Sequence, residues 1–413
     1  MIHRCDGGAP PGYSPGAKGG RYYAIMTTTA QRKKHLQWLC ELTAIPTAAG
    51  KEDRVIAWVR AWAKKRTNLK LSADKAGNLI LRPVSKSKKR GVRPVYITAH
   101  LDHPAFVVHC INSPRNKNSG TVELEFRGGV QNPYFDKAKI IIFDQDDKPH
   151  RATIFRLDSK AKPFKIAHAR LNKKTEAIRP GDVGRWGFSG KGATPTIDKG
   201  ILHTPACDDL AAVAVALATL DVLHRRKSME HVGVLLTRAE EVGFIGAIAA
   251  CKDRSMPRSS RLICLENSRS YPESPIGAGP IVRVGDRISV FDPRLTNRIS
   301  LIMGEYAKRN PRYKWQRKLM PGGACEATTF STYGYESTCL CLPLGNYHNM
   351  RDVDSVLAGK RPAKVGPEYI SVDDYHGLIE MLIISITQLD DGNVPDIEKM
   401  MEKLMDEVGF VVK

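Results

Sequence analysis

The stretch TRAEEVGFIGA, residues 237–247, follows the apolar run VGVLL and sets two adjacent carboxylates, Glu240 and Glu241, where that run ends. In a strand, neighbouring side chains point to opposite faces, whereas in the irregular turn beyond a strand both can reach one cleft. Two readings are open: a solvated loop rim, or a site where one carboxylate binds metal while the other moves protons. The rest of the chain decides between them.

Upstream, TPACDDLAAVAVALATLDVLH (204–224) places Asp208 and Asp209 directly before an apolar helix. One such carboxylate is explained by capping of free backbone N–H groups at the helix start; two are more than capping needs. Downstream, RLICL (261–265) reads as a strand ending on Glu266, and CLCLP (339–343) as a last apolar strand followed by Gly345, Asn346, Tyr347 and His348. Nearer the start, PVYITAH ends on His100, with Asp102 two residues on. That spacing lets the carboxylate fix the imidazole tautomer for metal binding. His103 adds a second imidazole. Taken singly, each of these residues has a structural explanation.

Together they imply more. Apolar strand-like runs separated by helical segments indicate an α/β fold, a mixed β-sheet flanked by helices, and open sheets of this kind gather ligands at the carboxyl ends of their strands. His100, the Glu240–Glu241 pair, Glu266 and His348 would then converge, with Asp208 arriving from a helix start. Two histidines and three carboxylates suit Zn²⁺, with Mn²⁺ or Co²⁺ as alternatives. A pair of divalent ions needs a bridging carboxylate and a neighbouring base, as in hydrolytic two-metal sites.

The remaining segments complete the layout. Helical periodicity in two pieces covers residues 31–66, and a hairpin around Ala76-Gly77-Asn78 follows. From 110 to 203 short alternating runs separated by turn residues predict an inserted small β-barrel domain, which leaves 31–109 and 204–413 as the catalytic α/β domain. The Gly-, Pro- and basic-rich residues 1–30 read as a disordered tail. Residues 371–389 predict a closing amphipathic helix with Ser371 as its N-cap, and 397–412 a short charged terminal piece.

Composition narrows the function classes. The chain has 413 residues, 42% hydrophobic, enough for two domains with a sizeable core. The longest apolar run, 210–220, is about half of the ~20 residues a membrane span needs, so no transmembrane segment and no membrane partner are expected. Nine cysteines without a Cys-x-x-Cys pair, several inside apolar runs, point to reduced thiols and a cytoplasmic location. The net charge of +21 raises nucleic-acid binding, but the basic residues are dispersed, and the densest loop, 82–93, carries no aromatic side chains for base stacking. No specific nucleic-acid partner is expected.

In their order and spacing, AHLDHPAFVV, AIRPGDV, ACDDLAAVAVAL and AEEVGFIGA resemble the M42-type dinuclear metallo-aminopeptidases of the wider zinc-peptidase clan, over about residues 36–384. The resemblance implies that Asp208 bridges two divalent metal ions, with His100 and Glu266 completing one site and Glu241 and His348 the other. It implies Glu240 as general base and Asp102 as the carboxylate that orients His100. It also implies peptide substrates and homo-oligomers formed through the inserted domain. Several positions depart from the family pattern. His103-Pro104-Ala105-Phe106 stands where Glu-x-Gly-Phe is usual, Leu210 follows the Asp pair in place of Arg, and Glu266 replaces the usual Asp. The expected function is a metal-dependent aminopeptidase. An amidohydrolase or deacylase on the same scaffold is the alternative enzyme, and a non-catalytic peptide-binding scaffold the alternative of another class.

Overall fold

The computed structural model describes residues 27–84, 92–111, 120–392 and 397–412. The expected disordered tail lies outside the described residues except at its end, where helix α1 (Thr29–Ala44) corrects the limit at residue 30. Thr28 and Gln31 form a capping box that starts this helix. Most of the basic loop, 85–91, is likewise outside the described residues.

After α1 come α2 (Asp53–Lys64) and a hairpin of β1 (Leu69–Ala73) and β2 (Leu79–Pro83), then the first fully buried strand, β3 (Val95–His100). Six strands follow: β4 (Ala105–Ile111), β5 (Thr121–Arg127), β6 (Lys139–Phe143), β7 (Pro149–Asp158), β8 (Lys165–Leu171) and β9 (Val183–Trp186). They close a barrel in the order β4-β5-β8-β7-β6-β9. The short strands β10 (Thr196–Asp198) and β11 (Ile201–Thr204) lead back to α3 (Leu210–Leu223), β12 (Val232–Thr237), α4 (Ile245–Lys252) and β13 (Arg261–Arg269). The chain continues through β14 (Ile281–Gly285), α5 (Pro293–Arg309), β15 (Gln316–Leu319), α6 (Glu326–Thr332) and β16 (Glu336–Leu344). It ends with α7 (Val353–Leu357), β17 (Glu368–Ser371), α8 (Val372–Gln388) and α9 (Ile397–Val408).

The large sheet has eight strands in the order β1-β2-β12-β3-β13-β16-β14-β15. Its middle four, β12, β3, β13 and β16, are parallel neighbours, so their carboxyl ends share one edge. Antiparallel pairing of β2 on one side and β14 on the other makes the sheet mixed. Both faces are covered, and strand periodicity distributes the side chains: Val95, Ile97 and Ala99 of β3 join the core beneath α1, α3 and α8, while Tyr96 joins the core beneath α4 and α6. Every residue of α3 is buried, which fits an Ala-rich helix apolar on all sides and packed between the sheet, α1 and α8.

The barrel has its own core, in which Phe106, Phe126, Phe135 and Trp186 meet largely edge to face. Its strands begin at Ala105, before the expected limit at 110. Phe106 and Val108 of β4 face the barrel core while Ala105 and Val107 pack with Ala48 and Val183, so both sides of this strand are apolar and the sequence shows no alternation. At the far end, β10 and β11 pair with each other and with β17 rather than with the barrel.

Candidate metal centre

The site is built on the shared carboxyl edge. His100 ends β3, and its register partner on β12 is Thr237, so the loop bearing Glu240 and Glu241 leaves the sheet beside it. Asp102 fixes that loop: its two oxygens accept from the backbone N–H groups of Glu240 and Glu241, each at 3.0 Å. Glu52 holds the preceding residues, accepting from the Ala239 N–H at 3.0 Å and the Arg238 guanidinium at 2.8 Å.

Two expectations from sequence are corrected. Glu266 lies inside β13, which continues to Arg269 because Asn267–Arg269 keep their pairing with β16; the apolar pattern marks only the first part of the strand. Neither Asp208 nor Asp209 caps α3 with its side chain. Asp209 instead accepts from the His100 N–H at 3.2 Å and from the Asn267 amide at 2.6 Å. Asp208 divides its oxygens, Oδ1 lying 3.4 Å from Nε2 of His100 and Oδ2 3.3 Å from Nε2 of His348.

His348 sits past β16 in a segment where Asn346, His348 and Asn349 all have positive φ. Its Nδ1 faces the Gly129 carbonyl at 2.7 Å. A carbonyl only accepts, so Nδ1 donates to it, and this turns Nε2 toward Asp208 and Oε1 of Glu241, 3.5 Å away. Nε2 of His100 lies 4.0 Å from both Glu240 Oε2 and Glu266 Oε1. Nδ1 of His100 is 3.4 Å from Asp102, a charge contact without hydrogen-bond geometry. His103 turns away from the cluster, its ring bridging the Asp208 carbonyl and the Asn349 side chain.

Charge crowding dominates the electrostatics. Burial, reinforced by the neighbouring carboxylates, pushes Glu240, Glu241 and Glu266 well above the usual carboxylate range. Asp209 is raised the same way by burial and by Asp208. Burial also works against an ionised Asp208, but His100 and His348 outweigh it and hold that carboxyl low. Burial disfavours a charged His100, yet Glu240 with Asp102 and Asp208 raises its imidazole well above its ordinary value.

The donor set fits divalent cations. Asp208 Oδ1 and Glu241 Oε1, which face the cluster, are buried without a hydrogen-bond partner. Two groups share Asp208: His100, Asp208, Asp209 and Glu266 on one side, and Asp208, Glu241 and His348 on the other, each with ligand atoms within 4.8 Å of one another. Buried like charges are costly unless paired or bound to metal, and cations between these oxygens would relieve that cost.

Two supporting residues have no motif in the sequence. Glu368 on β17 is fully buried and accepts from the N–H groups of Cys207 (2.6 Å), Asp208 (3.1 Å) and His348 (2.8 Å), tying both flanks of the cluster to one carboxylate. Glu326, at the start of α6, is buried close enough to His100, Glu240 and Asp102 to feel their charge, and burial pushes it up to about 7. Both stand next to unremarkable residues, Pro367 and Cys325, and only the fold brings them to the site.

The sequence model of the M42 glutamyl aminopeptidase family matches residues 77–360, more than half of the chain. No curated protein matches the sequence. Among solved structures, a TET aminopeptidase from a marine-sediment Thaumarchaeota archaeon is similar with a TM-score of 0.67 at 17% identity, covering 88% of this chain and 98% of that one. An aminopeptidase from Desulfurococcus kamchatkensis gives a TM-score of 0.64 at 20% identity, covering 86% and 95%. The TET1 peptidase of Pyrococcus horikoshii, which can assemble into a tetrahedron or a large octahedral shell, gives 0.64 at 16%, covering 85% and 98%.

Proposed function

Because the chain belongs to the M42 glutamyl aminopeptidase family of peptide hydrolases, we propose that it is a metal-dependent aminopeptidase that removes N-terminal residues from peptides. The observation that carries this reading is the division of the Asp208 carboxylate between His100 and His348, with Glu266 on the first side and Glu241 on the second. His100, Asp208 and Glu266 would hold one divalent ion and Asp208, Glu241 and His348 the other. With two histidines and three carboxylates, Zn²⁺ fits best, and Co²⁺ or Mn²⁺ are the alternatives. Bound there, the pair would lower the pKa of water and polarise the scissile carbonyl.

The rest of the chemistry belongs to the chain. The Glu240 carboxylate accepts no hydrogen bond among the described residues, and its backbone N–H is fixed by Asp102. A buried carboxylate whose proton affinity is raised by its surroundings is suited to take a proton from the attacking water at Oε2 and return it to the leaving amine. Asp102 serves as a positioning residue for this step, since its carboxylate holds the Glu240–Glu241 backbone and lies in charge contact with His100 Nδ1. Self-association is inferred from the assemblies of the Pyrococcus horikoshii relative. A cytoplasmic location is supported by the eight described cysteines, none of which is paired. Among the described residues no helix is long and apolar enough to cross a membrane.

Release of amino acid from aminoacyl-arylamides, with added Zn²⁺ or Co²⁺ and again after chelation, tests the reading. Metal-dependent release is expected. Cleavage of acyl-amides without aminopeptidase activity would favour the deacylase alternative, and no metal-dependent release from any amide would overturn both.

A further inference from the structure

Tyr347 stands between strand β16 and His348, and positive φ at Asn346 and His348 turns the chain sharply on either side of it. Its ring stacks on the His348 imidazole, centroid to centroid at 3.7 Å with 24° between the planes, and packs against both the sheet core and the barrel core. The turn itself is tied down: the Asn346 amide donates to the Pro367 carbonyl at 2.7 Å, and Glu368 accepts from the His348 N–H. The ring is held in place from several sides.

The hydroxyl takes no part in that packing. Among the described residues it has no hydrogen-bond partner, whereas a buried tyrosine usually finds one for its O–H. The side chain instead lines a cavity whose walls include Glu266, Arg283 and Gly323, and a β-carbon on Gly323 would come within 3.4 Å of the hydroxyl oxygen. Glu266 belongs to one of the two ligand groups, and His348, stacked on the tyrosine ring, to the other, so the cavity adjoins both. The hydroxyl is also close enough to Asp208, Glu241, Glu266 and Glu240 to feel the charge of each. On the same wall, the Arg283 guanidinium commits its nitrogens to the Ser268 hydroxyl and the Gly285 and Gly323 carbonyls. Tyr347 keeps its donor free.

We infer that Tyr347 is a further catalytic residue, whose phenolic O–H donates a hydrogen bond to the scissile carbonyl oxygen as negative charge develops there. The inference rests on the aminopeptidase reading above. Water adds to the carbonyl carbon, its proton passes to Glu240, and the π pair of the C=O bond moves onto oxygen. Tyr347 donates to that oxygen and keeps its own proton. As the C–N bond breaks, the pair returns to re-form the carbonyl and Glu240 delivers its proton to the leaving amine. The site's carboxylates repel a developing anion, and a donor fixed beside them beforehand stabilises it without reorganisation.

Tyr347→Phe tests this, because it keeps the ring and its stack and removes only the hydroxyl. In hydrolysis of an aminoacyl-arylamide, kcat should fall about 10²- to 10³-fold while KM stays within about threefold of the parent. The affinity of a phosphinic dipeptide analogue, an anionic mimic of the tetrahedral state, should fall by the same factor when measured by calorimetry. Metal content by elemental analysis should remain parental. A parent inactive on every amide would overturn the aminopeptidase reading and this inference with it. With an active parent, any of three results overturns this inference alone: an unchanged kcat, a loss expressed wholly in KM, or loss of metal from the variant.

Discussion

Replacing Glu368 with Gln isolates the support of the site from its ligands. The parent carboxylate receives three backbone N–H groups, two on Oε2 from Cys207 and Asp208 and one on Oε1 from His348. An amide retains one acceptor oxygen. Placed toward Cys207 and Asp208, it leaves an NH₂ facing the His348 N–H, donor against donor. One charge-assisted hydrogen bond is lost, the other two become neutral, and a buried donor is left unmet. With hydrogen bonds to charged groups contributing about 1.5–3 kcal/mol each, and relief from burying a charge partly offsetting the loss, the net destabilisation is about 2–3 kcal/mol. The His348 backbone is the group left without its partner, so metal affinity should fall about 10- to 100-fold, the range for residues that orient ligands. Urea denaturation of the metal-free protein reads the first effect and competition with a chelating dye the second. Unchanged metal affinity alongside reduced stability would refute a positioning role for Glu368, and no change in either would refute the hydrogen-bond assignment itself.

Other perturbations address the bridge, the base and the scaffold. Asp208→Asn should reduce binding of both metals together, measured as stoichiometry by elemental analysis; loss of one ion alone would contradict a bridging carboxylate. Glu240→Gln should abolish turnover while metal content stays at the parental level, and a fall in content would instead make Glu240 a ligand. Asp221, buried in α3, meets Lys34 at 2.7 Å, Arg66 at 2.9 Å and His35 at 3.3 Å. Burial opposes its ionisation, but these partners prevail and hold the carboxyl low. A depressed carboxyl stabilises fully above its unfolded pKa of ~3.9, and that contribution is lost as pH falls further through the folded value. Asp221→Asn should therefore cost about 3 kcal/mol near neutral pH and progressively less below pH ~4, compared by urea midpoints at both pH values. A difference that grows on acidification would refute the assignment.

The sequence carried the α/β architecture because the middle strands are buried on both faces and so appear as apolar runs: VYITA, VGVLL, RLICL and CLCLP each fall within a strand of the observed sheet. The barrel was visible through strands such as β5, which alternates buried and half-buried positions. Its first strand was not separable from the preceding segment, since Ala105–Val108 are apolar on both sides. At the site, local pattern misread the Asp pair. A helix start invites capping, and only tertiary contact with His100 and Asn267 draws Asp209 elsewhere. Glu368 and Glu326 were illegible for a related reason: β17 and α6 reach the cluster through chain crossings that no spacing in the sequence encodes.

The proposed function requires that one carboxylate, Asp208, join two metal sites. Anomalous scattering recorded at the absorption edge of the bound metal in crystals of the metal-loaded protein tests it directly. Two peaks flanking Asp208 are expected, one beside His100 and Glu266 and the other beside Glu241 and His348, with Glu240 contacting neither. A single peak, or a peak ligated by Glu240, would contradict it.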